Sequence, residues 1–160
     1  MLENSNELVK NGILLEFAKT VELFDLTPLE ARLFTYLYME ENPLTLDEMS
    51  DALGKSKTSM STSVRSLVEL NLVKRVWKKG VRKDLYQANS QLFKQFMSFY
   101  MKKWIDATED QKEALVDIQA KLRTQDSPID NQQLHDKLAS IIKFHQQLDN
   151  FFKEASEIKQ

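Results

Sequence analysis

Residues 45–88 read TLDEMSDALGKSKTSMSTSVRSLVELNLVKRVWKKGVRKDLYQA. Thr45 precedes a short apolar-periodic run, and Asp47 and Glu48 fall in its first turn, where carboxylates suit the positive end of a helix dipole. The run stops at Leu53, and Gly54 stands where a left-handed residue ends a helix. Ser56 is placed to cap a further helix through Leu70, after which Asn71 breaks the pattern. Leu72 to Trp77 alternates like a strand, Lys78 to Lys83 forms a basic turn, and Asp84 to Ala88 reads as the returning strand.

Upstream, Thr27, Pro28 and Glu30 supply the N-cap, N1 and N3 residues of a capping box, and the helix they open runs from Leu29 to about Met39. The order is helix, helix, tight turn, helix, hairpin, which is a winged helix-turn-helix. Before it, Asn4 to Phe24 reads as an amphipathic helix with Val9, Ile13, Phe17 and Val21 at spacing four. After it come two long helices, about Gln91–Arg123 and Asn131–Glu157, separated by Gln125-Asp126-Ser127-Pro128. The expected fold is mainly α: a winged helix-turn-helix with a small β-hairpin wing, plus N-terminal and C-terminal helices for dimerisation. The expected divisions are residues 1–26 (N-terminal dimerisation helix), 27–88 (winged domain) and 89–160 (helical dimerisation and effector region).

Composition narrows the chemistry. The 160 residues include no Cys, which excludes disulfides, thiolate metal sites and Cys nucleophiles. Three Gly and three Pro leave little material for hairpins or glycine loops. No apolar run approaches the ~20 residues that span a bilayer, and the start MLENSNELVK lacks the basic and apolar parts of a secretory leader. A cytoplasmic protein with no membrane contact and no cofactor is expected. The net charge of −2 conceals strong blocks. Residues 55–83 carry nine basic side chains and one acid, whereas residues 1–54 carry three basic and eleven acidic ones. A cationic segment inside an acidic chain attracts polyanions to one face.

The third helix shows what that face is for. With Met60 as origin, Val64, Leu67 and Val68 lie within about −20° to 80°, while Arg65, Thr58 and Thr62 lie near 140°, 160° and 200°. Short hydroxyls let a helix approach base edges closely, and Arg can bond guanine through two hydrogen bonds. Ser59, Ser61 and Ser66 accompany this face, and Lys55, Ser56 and Lys57 stand at the helix start, where phosphates bind. In the hairpin, Lys78, Lys79, Arg82 and Lys83 are placed to follow the backbone or enter a minor groove. These thirteen residues form the expected DNA-binding set.

The run from Thr45 to Leu67, continued by Val73 to Asp84, resembles the GbsR-type branch of the MarR-like regulators. The resemblance implies a bacterial repressor of genes for glycine betaine synthesis or for choline and betaine uptake. It also implies a homodimer, built from the N- and C-terminal helices, on a pseudo-palindromic duplex. One departure is plain: the Asp-x-Arg of wider MarR wings has no counterpart, because Lys79 to Lys83 carries no acid ahead of Arg82. Independently, Leu115, Ile118 and Leu122, with Leu134, Leu138, Ile141, Ile142, Phe144, Leu148, Phe151 and Phe152, exceed what one helical hairpin can hide, which favours a second copy.

A choline-type effector carries a quaternary ammonium, and aromatic cages hold such groups by cation–π attraction. Phe96, Tyr100 and Trp104 share a helix face at spacing four, and Trp77 and Tyr86 are expected to complete a cage. The same rings also suit core packing. Two other readings stay open: a winged-helix module whose basic strip docks an acidic protein, and a regulator with an uncharged aromatic effector or none. An enzyme is not expected. His135 and His145 are ten residues apart on one helix, with no nucleophile, HExxH spacing or phosphate loop to join.

Overall fold

The computed structural model describes residues 2–124 and 132–157. Its elements are α1 (Leu2–Glu22), α2 (Pro28–Met39), α3 (Leu46–Leu53), α4 (Lys57–Glu69), β1 (Val73–Val76), β2 (Leu85–Ala88), α5 (Leu92–Thr124) and α6 (Gln132–Ser156). The fold is the mostly helical winged helix-turn-helix expected. The 125–128 separator and the start at Asn131 lie outside the described residues. The chain divides into two compact units, Met1–Phe96 and Met97–Gln160. No described helix is long and apolar enough to cross a membrane.

In the first unit α2, α3 and α4 each begin where a side chain can satisfy free N–H groups. The Glu30 N–H donates to Thr27 Oγ1 at 3.1 Å, and the Thr27 N–H donates to the Glu30 carboxylate at 2.9 Å. Thr45 and Glu48 repeat this reciprocal box at the start of α3. Each such cap stabilises its helix by roughly 1 kcal/mol. The α3–α4 turn needs Gly54, whose φ of +64° is left-handed. Asn71, at φ +60°, turns the chain out of α4 toward the hairpin.

The helices bury one apolar seam. Leu33, Phe34 and Leu37 of α2, Met49 of α3, and Met60, Val64 and Leu67 of α4 are all at most 2% exposed. Phe96 closes this core edge-on to Phe34 at 5.3 Å and packs on Phe24 at 4.7 Å. From α1, only Ala18 and Val21 are buried, with Phe17 against Tyr38 at 6.0 Å. Val9 and Ile13, on the same predicted stripe, are exposed.

The two strands pair antiparallel from Val73↔Ala88 to Val76↔Leu85. They are shorter than the alternation suggested, since Leu72, Trp77 and Asp84 lie outside the ladder. Leu44 adds a bridge to Tyr86, with reciprocal N–H···O bonds of 2.9 Å, and ties the hairpin to the segment before α3. In the second unit, α5 and α6 run antiparallel: Trp104 meets Phe152 at 5.6 Å, and Lys112 lies 3.7 Å from Asp149. Leu138 and Ile142 are buried on the same helix as Asp149.

Candidate nucleic-acid interface

α4 is fixed by its buried side and presents the opposite one. Ser56 accepts from the Ser59 N–H at 3.1 Å and so caps the helix. Its hydroxyl donates to Ser59 Oγ at 3.0 Å, which directs both serines to the cap. Thr58, Thr62 and Arg65 are exposed together, and the Thr62 hydroxyl donates back to the Thr58 carbonyl at 3.1 Å. Ser61 is half-buried. Ser66 does not join the exposed face: its hydroxyl donates to Glu30 of α2. The angular reading placed Ser66 on the flank of the face, but the flank here is the contact with α2.

Glu30 thus both caps α2 and anchors α4. Burial alone raises its carboxyl, but hydrogen bonds from the Ser66 hydroxyl and from Thr27 outweigh burial, and the group titrates below its ordinary 4.5. A depressed carboxyl adds stability that is complete above the ordinary value and is lost as pH falls through the folded value. Denaturant midpoints are therefore expected to drop on acidification below about pH 4.5, and Glu30→Gln to flatten that drop. A Glu30→Gln profile parallel to the parent's would count against the coupling.

The wing carries Lys78, Lys79, Arg82 and Lys83 on exposed backbone, with Gly80 at φ +84° making its turn. Asp84 pairs with Arg75 across the hairpin. Asp47, in the first turn of α3, accepts from Lys83 at 2.9 Å and lies 3.4 Å from Lys57. Those two lysines, Lys83 first, hold its carboxyl below the usual range, and Asp47 in turn raises Lys83. Lys55, Arg65, Lys74, Lys78, Lys79 and Arg82 have no carboxylate partner among the described residues. The arrangement is a helix face of hydroxyls and one guanidinium, flanked by cations of which only Lys57 and Lys83 meet a carboxylate, Asp47, among the described residues. The Asp47–Lys83 and Glu30–Ser66 contacts are not legible in the sequence, because partners 36 residues apart leave no periodic signal.

Within the first unit the rings of Trp77, Tyr86 and Phe96 stand in three different settings. Trp77 is 82% exposed beyond the end of β1 and touches no other ring among the described residues. Tyr86 is buried in the hairpin, where it bridges to Leu44. Phe96 belongs to the core of the first unit. In the second unit Tyr100 and Trp104 lie 5.9 Å apart, and Phe152, which the sequence places only among the surplus apolar residues of the C-terminal helices, joins Trp104.

A basic helix-turn-helix with a charged wing defines the class of winged-helix regulators. A MarR family model matches residues 24–78. The chain is 35% identical to the HTH-type transcriptional repressor GbsR of Bacillus subtilis (strain 168), over 87% of this chain and 79% of that protein. It is 32% identical to the repressor OpcR of the same organism, over 66% of this chain but only 57% of OpcR. A crystal structure of a transcriptional regulator superposes with a TM-score of 0.62 at 18% identity, covering 92% of this chain and 95% of that one. The chain belongs to the MarR family of winged-helix regulators, and it is not an enzyme.

Proposed function

We propose that this protein is a dimeric, DNA-binding repressor that controls glycine betaine synthesis or choline and betaine uptake, with a quaternary ammonium compound as effector. The observation that carries the DNA reading is the exposure of Thr58, Thr62 and Arg65 on one face of α4, flanked by Lys55, Lys78, Lys79 and Arg82, which have no carboxylate partner among the described residues. The proposed contact set is Lys55, Lys57, Thr58, Thr62 and Arg65 with Lys78, Lys79, Arg82 and Lys83; Ser56 and Ser59 serve as cap, and Ser66 is withdrawn. Similarity to GbsR supports the choice of genes and effector.

Dimerisation is supported by apolar surface that the single chain leaves open. Ile141, Phe144 and Phe151, at spacings of three and seven along α6, are 46%, 55% and 63% exposed. On α1, Leu8 and Val9 are more than 60% exposed. A second copy is the proposed cover for both. For the effector, the ring group of Tyr100, Trp104 and Phe152 is the proposed contact.

One titration tests the whole reading. A DNA binder loses affinity steeply as salt rises yet keeps a sequence preference near 0.15 M, whereas a protein-docking module does neither. Exposed Trp77 is expected to report duplex addition, and Trp104 to report choline. Choline should give a saturable fluorescence change in Trp77→Phe and none in Trp104→Phe. Failure of the salt dependence removes DNA binding; failure of the choline signal removes only the effector.

A further inference from the structure

We propose that Asp47 occupies, in the unbound protein, a seat built for one phosphate of the duplex backbone, and thereby lowers the affinity of the basic face for every duplex. The inference rests on the DNA-binding reading above. Lys57 at the start of α4, Arg82 and Lys83 of the wing, and Thr45, Asp47 and Asp84 line a cleft of about 260 Å³. Asp47 sits among the cations, 2.9 Å from one lysine and 3.4 Å from the other. Both lysines are on elements that the reading sets against the DNA backbone. A carboxylate and a phosphodiester each offer two anionic oxygens to ammonium donors, so the two compete for the same pair.

Asp47 also has a structural alternative, to hold the wing against α3. Both lysines are at least 60% exposed, and exposed, water-screened pairs contribute little hold. The wing has firmer ties in the β1–β2 ladder and the Leu44–Tyr86 bridge. Removing the carboxylate thus costs little order, while it removes a negative charge from beside an incoming phosphate. The repulsion outweighs the hold. It acts without regard to sequence, so Asp47 lowers specific and non-specific affinity by a similar factor.

The test uses the full chain and a mixed-sequence duplex of roughly two helical turns, followed by fluorescence anisotropy at about 0.05 and 0.15 M salt. Asp47→Asn is expected to bind roughly three- to tenfold tighter at the lower salt, with the gain narrowing at the higher. Asp47→Ser, checked with it for an unchanged thermal melt, should do the same. Lys83→Gln should cost more affinity in the Asp47→Asn background than in the parent, where Asp47 already engages that lysine. A parent that binds while both Asp47 variants bind equally or more weakly overturns the seat alone. A parent and variants that bind no duplex overturn the regulator reading and the seat together.

Discussion

Replacing Arg65 by Ala is expected to weaken binding to a preferred duplex by roughly 10- to 100-fold, the equivalent of about 1–3 kcal/mol, with little effect on binding to unrelated DNA. The reason is position. Arg65 lies on the hydroxyl face of α4 with Thr58 and Thr62, it is solvent-exposed, and no carboxylate neutralises it among the described residues. A guanidinium there can meet a base edge in two hydrogen bonds, and its loss removes discrimination rather than charge alone. Lys79→Ala is the contrast. A wing lysine meets phosphate, so its loss should lower affinity evenly across sequences and make the slope of log affinity against log salt shallower by about 0.9. Quantitative binding curves at several salt concentrations separate the two behaviours. An Arg65→Ala protein that holds a preferred duplex as tightly as the parent would remove α4 as the reading element.

The largest effect on stability is expected at Phe34. This ring is 1% exposed, packs edge-on to Phe96 at 5.3 Å and lies 6.3 Å from Tyr38. Phe34→Ala is expected to destabilise the protein by about 3–5 kcal/mol, because the surrounding helices cannot close the void. α2 also carries Glu30, which holds Ser66 of α4, so loosening α2 loosens the recognition helix. Urea unfolding should show the shift in midpoint, and duplex affinity should fall in parallel near the new transition. A change below about 1 kcal/mol would mean that the core repacks around the deletion.

Much of the fold is legible along the chain because its determinants are local. A Thr ahead of Pro28 and Glu30, a Gly after Leu53, a Ser before Lys57 and an Asn after Leu70 each act on the backbone within a few residues, and each marks a helix end in the structure. The 3.6-residue period correctly divides α4 into a buried side of Met60, Val64 and Leu67 and an exposed side of Thr58, Thr62 and Arg65. The hairpin is also legible, although its ladder stops at Val76, and Trp77 therefore leaves the sheet.

Ring partners were less visible. Spacing four along α5 groups Phe96, Tyr100 and Trp104, but periodicity says which residues share a helix face and nothing about what that face meets. Phe96 meets Phe24 and Phe34, whereas Trp104 meets Phe152. The exposed apolar residues of α6 were likewise readable as an excess, while their division into a buried side with Leu138 and Ile142 and an open side with Ile141 and Phe144 required the packed helices.

By itself, then, the amino-acid order determined the helix ends, the cationic strip between Lys55 and Lys83 and the polar face of α4, since these depend on caps, period and charge over a few residues. Only the tertiary structure decided that Ser66 answers to Glu30, that Asp47 stands between Lys57 and Lys83, and that Phe96 belongs to the core. Those pairings join residues far apart in the chain, and the packing of one helix on another, rather than any local preference, brings their atoms within reach.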